Sequence, residues 1–114
     1  MSTIFKKIID KEIQAQIVFE SETILAFKDI NPQAPVHVLI IPKKEISSIR
    51  EVDPQKDALL MNELITAANK IAKDLGIYDS GFRLVFNAGN DGGQDVYHLH
   101  LHLLGGRKMT WPPG

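Results

Sequence analysis

The sequence predicts an α+β fold: a five-stranded, mainly antiparallel sheet carrying one long and one short helix. Three observations lead there. Strand-like runs outnumber helical ones and follow one another at hairpin distances, one segment has the apolar period of a long amphipathic helix, and 114 residues hold a single domain, expected over 1–114. Regular βα alternation, the mark of a doubly wound sheet, is missing.

Each element has its own signal. Thr3 followed by Ile4, Phe5, Ile8 and Ile9 predicts a short capped helix running to about Lys11. Ile17–Glu20 and Ile24–Lys28 are β-branched and aromatic runs around the polar Ser21, Glu22 and Thr23, which predicts a hairpin. Asp29, Asn31, Pro32 and Pro35 force a loop, and Val36–Pro42, apolar on both faces except at His37, predicts a central strand. Asp53 as N-cap, Pro54 in the first turn and Gly76 as a left-handed cap bound the long helix. Between them Leu60, Leu64, Ala68, Ile71 and Leu75 recur at helical spacing, with Lys56, Glu63, Lys70 and Lys73 largely on other faces. Such a helix spans about 33 Å at about 1.5 Å per residue. Phe82–Asn87 predicts a fourth strand, and Asn90, Asp91, Gly92 and Gly93 a tight turn into a fifth, Tyr97–Leu104.

Composition narrows the function classes. Thirteen Lys and Arg against fourteen Asp and Glu give a net charge of −1, so no global field holds a nucleic-acid backbone or an anionic bilayer. Partners must be chosen by a local site. The absence of Cys excludes disulfides, thiolate metal sites and cysteine nucleophiles, and fits a reducing compartment. The opening residues carry no run of signal-peptide length, and the longest apolar stretch, Val38–Ile41, is far too short for a membrane span, so a cytoplasmic protein is expected.

Three of the four histidines, His98, His100 and His102, alternate with Leu99 and Leu101. On a strand, residues i and i+2 share one face about 6.7 Å apart, so the leucines enter the core while three imidazoles line the opposite face. Rings that close cannot all be protonated comfortably, and a mixture of neutral and charged imidazoles is expected near pH 7. The spacing admits a solvated polar face, a zinc site with two His ligands, or acid–base and nucleophilic catalysis, and does not separate the last two.

The stretch His98-Leu99-His100-Leu101-His102-Leu103-Leu104 resembles the His-φ-His-φ-His-φ-φ signature (φ apolar) of the histidine-triad (HIT) hydrolases. Gly92-Gly93-Gln94, Val96-Tyr97 and Leu104-Gly105-Gly106-Arg107 around it are similar to the Hint branch, the histidine triad nucleotide-binding proteins. The resemblance covers nearly the whole chain, including Asp29 to Pro35 leading into His37, Ile41-Pro42-Lys43-Lys44, and the ending Trp111-Pro112-Pro113-Gly114. Galactose-phosphate uridylyltransferases, a related branch, carry Gln where this chain has His102, which disfavours a transferase.

The resemblance implies a HIT-like fold and hydrolysis of purine nucleoside phosphoramidates or aminoacyl-adenylates, conjugates of AMP or GMP. It implies neither cofactor nor metal. His100 would attack the α-phosphorus to form a nucleotidyl-imidazole that water converts to a nucleoside monophosphate, and His102 would face the non-bridging oxygens. His98 with His37 matches a pair that fixes the tautomer and relays protons. Asp29 matches the carboxylate that takes the ribose hydroxyls, although it also suits a turn cap before Asn31-Pro32. Phe5, Ile8, Phe27 and Ile30 correspond to an apolar clamp on the purine, or to plain core. Asn87 and the loop Gly89–Gln94, with Gly93 and Gln94, match groups near the phosphate.

Asp95 stands where many members have Ser; a carboxylate there repels phosphate but attracts a cationic amine leaving group such as lysine. The tail with Trp111 either projects as a stiff end or packs near the partner's site in a homodimer. Neither nucleic acid nor membrane is an expected partner. Two other classes stay open: a nucleotide-binding regulatory module with incidental turnover, and a zinc-binding protein.

Overall fold

Five strands form one sheet, β1 (Ile17–Glu20), β2 (Ile24–Lys28), β3 (Val36–Pro42), β4 (Phe82–Val85) and β5 (Leu101–Gly105), joined by a short helix α1 (Ile4–Ile9) and a long helix α2 (Ala58–Asp74). These elements come from a computed structural model that describes residues 3–114; Met1 and Ser2 of the predicted 1–114 domain lie outside the described residues. The strand order is β1-β2-β3-β5-β4 and every neighbouring pair is antiparallel. The α+β expectation, with one long and one short helix, holds.

β3 is central, and its two apolar faces have separate destinations. Val38 and Ile40 join Ile24, Ala26, Leu101 and Leu103 against Leu64, Ala68 and Ile71 of α2. Leu39 and Ile41 join Leu25 and Phe27 against Phe5 and Ile8 of α1. A strand covered on both sides needs apolar residues at successive positions, which is why the run shows no alternation. No helix among the described residues is long and apolar enough to cross a membrane.

Thr3 caps α1, its Oγ1 accepting from the Lys6 amide at 3.1 Å. The helix stops at Ile9, short of the predicted Lys11, whose φ of +62° lies outside the helical region. β1, β2 and β3 match their predicted bounds. At the far end of α2, the Gly76 amide bonds Lys73 O and the Ile77 amide bonds Ala72 O, with Gly76 at φ +76°, the Schellman arrangement its position predicts.

Three further elements differ from expectation in their bounds. α2 begins at Ala58 rather than Pro54, because Asp53 Oδ1 accepts from the Gln55 and Lys56 amides, each at 2.8 Å, and closes a separate turn. The Asp57 carboxylate, next to the helix, is occupied by Lys44 Nζ (2.6 Å) and the Asp53 amide (2.8 Å). The helix is therefore 17 residues long, about 25 Å at about 1.5 Å per residue instead of 33 Å. β4 ends at Val85, not Asn87, and β5 spans Leu101–Gly105, not Tyr97–Leu104. The predicted tight turn does form, the Gly93 amide donating to Asn90 O at 3.0 Å, but it lies inside a long loop of residues 86–100 instead of joining the two strands directly. Its organiser is buried Gln94: Oε1 accepts from the Gly89 amide (3.2 Å) while Nε2 donates to Ser47 O (2.7 Å) and Val96 O (3.1 Å).

Candidate active site

Only the last of the three alternating histidines lies on a paired strand, yet the alternation survives through the irregular residues before it. The Leu99 amide donates to Ile46 O at 2.6 Å and keeps that stretch extended. Leu99, Leu101 and Leu103 are buried in the α2-side core. The imidazoles take the other side, with ring centroids 5.0 Å apart for His100 and His102 and 5.2 Å for His37 and His102. β-Register produces the second pair: Leu39 lies opposite His102 and His37 opposite Leu104, so His37 and His102 are diagonal neighbours on one face.

Partner chemistry assigns the tautomers. His100 Nδ1 lies 2.7 Å from the His98 carbonyl oxygen, which can only accept, so Nδ1 carries the proton and Nε2 of the neutral ring keeps its lone pair. The Gln33 amide donates to His37 Nδ1 at 3.0 Å. His37 therefore holds its proton on Nε2 and donates it to His102 Nδ1 at 2.9 Å, which leaves His102 with its own proton on Nε2. His98 Nε2 donates to Pro42 O at 2.7 Å. One ring thus offers a lone pair and its neighbour an N–H.

Burial makes neutrality the rule. Desolvation is the largest influence on His37, His98 and His102 and lowers all three; His102, also next to His100 and His37, falls to about 4. The expected mixture of charged and neutral rings is corrected for these three: desolvation outweighs the pull of Asp29 on His37 and of the Pro42 carbonyl on His98, so they are uncharged at pH 7.

A cavity of about 390 Å³ opens over the imidazoles. Its walls are mostly apolar, with Phe5, Ile8, Phe27 and Leu39 among them, and its polar groups are Gln14, Lys28, Asp29, Asp95, His100 and His102. Phe5 meets the His100 ring edge to face, centroids 5.0 Å apart at 88°, and meets Phe27 at 5.4 Å and 71°. Asp29 Oδ1 accepts from the Asn31 amide at 2.8 Å, so the turn-capping reading is correct, while Oδ2 lies 3.5 Å from His37 Nε2 at the cavity edge. A larger open depression of about 700 Å³ beyond the end of α2 is lined by neither His nor carboxylate.

Phe5, Ile8, Phe27, Asp29, Ile30, Asp95, His100 and His102 are brought together at this cavity. Phe5, Ile8 and Phe27 are core and cavity wall at once, whereas Ile30 is 97% exposed on the rim. His98 and His37 do not pair with each other as expected. His37 stands behind His102, and His98 stands behind His100, serving it with a main-chain carbonyl. Asn87, Gly93 and Gln94 do not line the cavity: the Asn87 amide is bonded to Gly92 O (2.7 Å) and Gln94 is committed to the loop. Trp111 lies outside the cavity, 82% exposed. Leu39 and Gln33 escaped the sequence reading. Leu39 could have been found, two residues from His37 on the same strand face; Gln33 acts through its backbone and has no side-chain signal.

Asp29, His37 and His102 bring three metal-binding donor atoms within 4.8 Å. The two ring nitrogens, however, are joined through the His37 proton, and an ion there would have to break that hydrogen bond.

A model of the HIT domain matches residues 10–109. An uncharacterized HIT-like protein of the cyanobacterium Synechocystis is 57% identical over 112 residues, 98% of this chain and 96% of that protein. The crystal structure of a HIT family hydrolase from Legionella pneumophila Philadelphia 1 superposes with a TM-score of 0.96 at 54% identity, covering 99% of this chain and 100% of the other. A histidine triad nucleotide-binding protein from Candida albicans superposes with a TM-score of 0.82 at 30% identity, over 97% of this chain and 83% of the other.

Proposed function

This chain belongs to the HIT-domain family, and from that membership we propose that it is a Hint-branch hydrolase of purine nucleoside phosphoramidates and aminoacyl-adenylates, with 1–114 acting as one domain. The observation that carries the reading is the contact of His100 Nδ1 with the His98 carbonyl at 2.7 Å, because it leaves Nε2 as the free nucleophilic atom beside an apolar cavity. The hydrolase from Legionella pneumophila and the nucleotide-binding protein from Candida albicans support the reaction type and the ligand class.

In the proposed cycle the purine sits against Phe5, Ile8 and Phe27 with Ile30 at the rim, and Asp29 accepts from the ribose hydroxyls. The Nε2 lone pair of His100 forms a bond to the α-phosphorus as the bond to the leaving group breaks: a carboxylate departs as the anion, and an amine departs neutral after taking a proton from solvent. The His102 Nε2–H faces the non-bridging oxygens, where charge builds in the transition state. The phosphorylated imidazole is cationic, and the His98 carbonyl at Nδ1 steadies that charge. Water then attacks the same phosphorus and gives up a proton to solvent, His100 leaves with its lone pair, and a nucleoside monophosphate is released; the full cycle adds one water across the P–N or acyl–phosphate bond. Asp95 draws a cationic leaving group. The exposed Trp111 and the apolar Leu59 on α2, 71% exposed, favour a homodimer in which the tail of one protomer approaches the site of the other.

Mass spectrometry of protein quenched during turnover of a slow adenosine phosphoramidate tests the reading. One added nucleoside monophosphate on the peptide containing His100 is expected. No adduct, with equally low rates for wild type and His100→Ala, would overturn it in favour of a binding module.

A further inference from the structure

Residues 29–35, between β2 and β3, have no regular structure, yet they carry Asp29, Ile30 and the Gln33 amide that bonds His37. Some of their order is internal: Asp29 Oδ1 accepts from the Asn31 amide, and Gln33 Nε2 donates to Asn31 O at 3.0 Å. Two further contacts tie the loop to the chain just beyond β5. The Arg107 guanidinium donates to Gln33 O at 3.0 Å. Beside it the Pro35 ring lies so near Gly106, at φ +90°, that a Cβ on Gly106 would sit 2.8 Å from Pro35 Cβ.

A backbone amide donates and cannot accept, so where Gln33 N–H reaches Nδ1 the His37 ring has one available neutral tautomer. Were that amide withdrawn, the His37–His102 bond could invert: His102 would hold its proton on Nδ1, donate it to His37 Nε2, and turn the Nε2 lone pair toward the cavity. A lone pair facing an anionic phosphoryl group repels it, whereas an N–H stabilises it. We infer that Arg107, outside the cavity and exposed, is a positioning residue: by holding the Gln33 carbonyl it keeps the Gln33 amide on His37 and so keeps His102 an Nε2–H donor. The inference rests on the hydrolase reading for its effect on rate, but not for its effect on the tautomer.

The test reads the imidazole nitrogens of His37 and His102 by two-dimensional nitrogen-15 NMR at pH 7.5, alongside steady-state hydrolysis of an adenosine phosphoramidate. Wild type is expected to show both Nδ1 atoms unprotonated and both Nε2 atoms protonated. In Arg107→Ala the His102 nitrogen shifts should move toward the opposite tautomer. kcat should drop about fivefold, the loss that one hydrogen bond of ordinary worth carries, with KM changing less than about twofold. Arg107→Lys, which keeps a cationic donor, should recover part of both effects. Arg83→Ala cuts the other tie to the tail, the bond from Arg83 to Thr110 O at 2.9 Å, and should leave the nitrogen pattern and kcat at wild-type values. An unchanged nitrogen pattern in Arg107→Ala, or a rise confined to KM, overturns the inference. The nitrogen spectrum needs no substrate, so a wild type that hydrolyses nothing defeats the hydrolase reading separately.

Discussion

His100 Nδ1 and the main-chain oxygen of His98 are 2.7 Å apart, so the ring proposed to attack phosphorus is oriented by a backbone atom of the residue two before it. That oxygen survives any substitution of the His98 side chain. The His98 ring has its own attachment, donating to Pro42 O at 2.7 Å in a setting where it is only 2% exposed. His98→Ala should therefore act mainly on stability, lowering it by about 2–4 kcal/mol as a buried, hydrogen-bonded ring is lost. kcat should fall far less than the roughly thousandfold or greater loss expected for His100→Ala. Urea melts and steady-state kinetics on the two variants check the split.

Acid should destabilise the fold through the same cluster. The His102 pKa is depressed to about 4 and those of His37 and His98 are lowered, chiefly by burial. An unfolded chain therefore takes up protons near pH 6.5 that the folded chain refuses. The stabilisation is complete above pH 6.5 and is lost as pH falls toward 4. His102 alone can account for up to about 3 kcal/mol, at about 1.4 kcal/mol per pH unit. Urea midpoints measured from pH 7.5 to 4.5 should fall steadily, and His102→Ala should flatten that slope.

The period of two across His98–His102 is legible in sequence because leucine and histidine differ so sharply in hydropathy that the two faces separate even where no strand partner exists. The pairing of His37 with His102 rather than His98 is not legible, since it depends on the β3–β5 register, a relationship between residues 65 apart in the chain. The start of α2 fails for a similar reason. Asp53 and Asp57 are both suitable caps by type, and a distant residue, Lys44, decides what Asp57 does. Asn87 and Gln94 have the chemistry of phosphate ligands, but their amides are occupied by main-chain oxygens, of the same loop and of Ser47. The apolar wall is legible as α1 and β2 periodicity, without a sign that the same residues would be both core and cavity lining.

Asp95 lines the cavity with His100 and His102 but is exposed, so its field is screened by solvent. Asp95→Ser should lower kcat/KM for a lysyl phosphoramidate relative to a neutral one by up to about fivefold, because an exposed ion pair is worth up to about 1 kcal/mol. The difference should shrink in high salt. A ratio that does not move would assign Asp95 no part in choosing the leaving group.

Phe5 makes two demands on one side chain, and they can be told apart. Its ring packs against Phe27 at 5.4 Å in the α1-side core, and it also meets the His100 ring at 5.0 Å and 88°, the edge-to-face arrangement aromatic pairs favour. Phe5→Leu keeps an apolar wall of similar bulk, so the loss of stability should stay near 1 kcal/mol, within the cost of volume-conserving core changes. The planar surface against the purine and against His100 is lost outright. KM for a purine substrate should rise and kcat should fall, each by about threefold to tenfold, since an aromatic pair contributes about 0.5–1.5 kcal/mol beyond simple burial. The two terms separate on a substrate without a base, such as a ribose phosphoramidate: base stacking then contributes nothing, KM should be the same for Phe5→Leu and wild type, and the kcat deficit should persist. A kcat restored to wild type on that substrate would leave Phe5 as a wall for the base with no influence on His100.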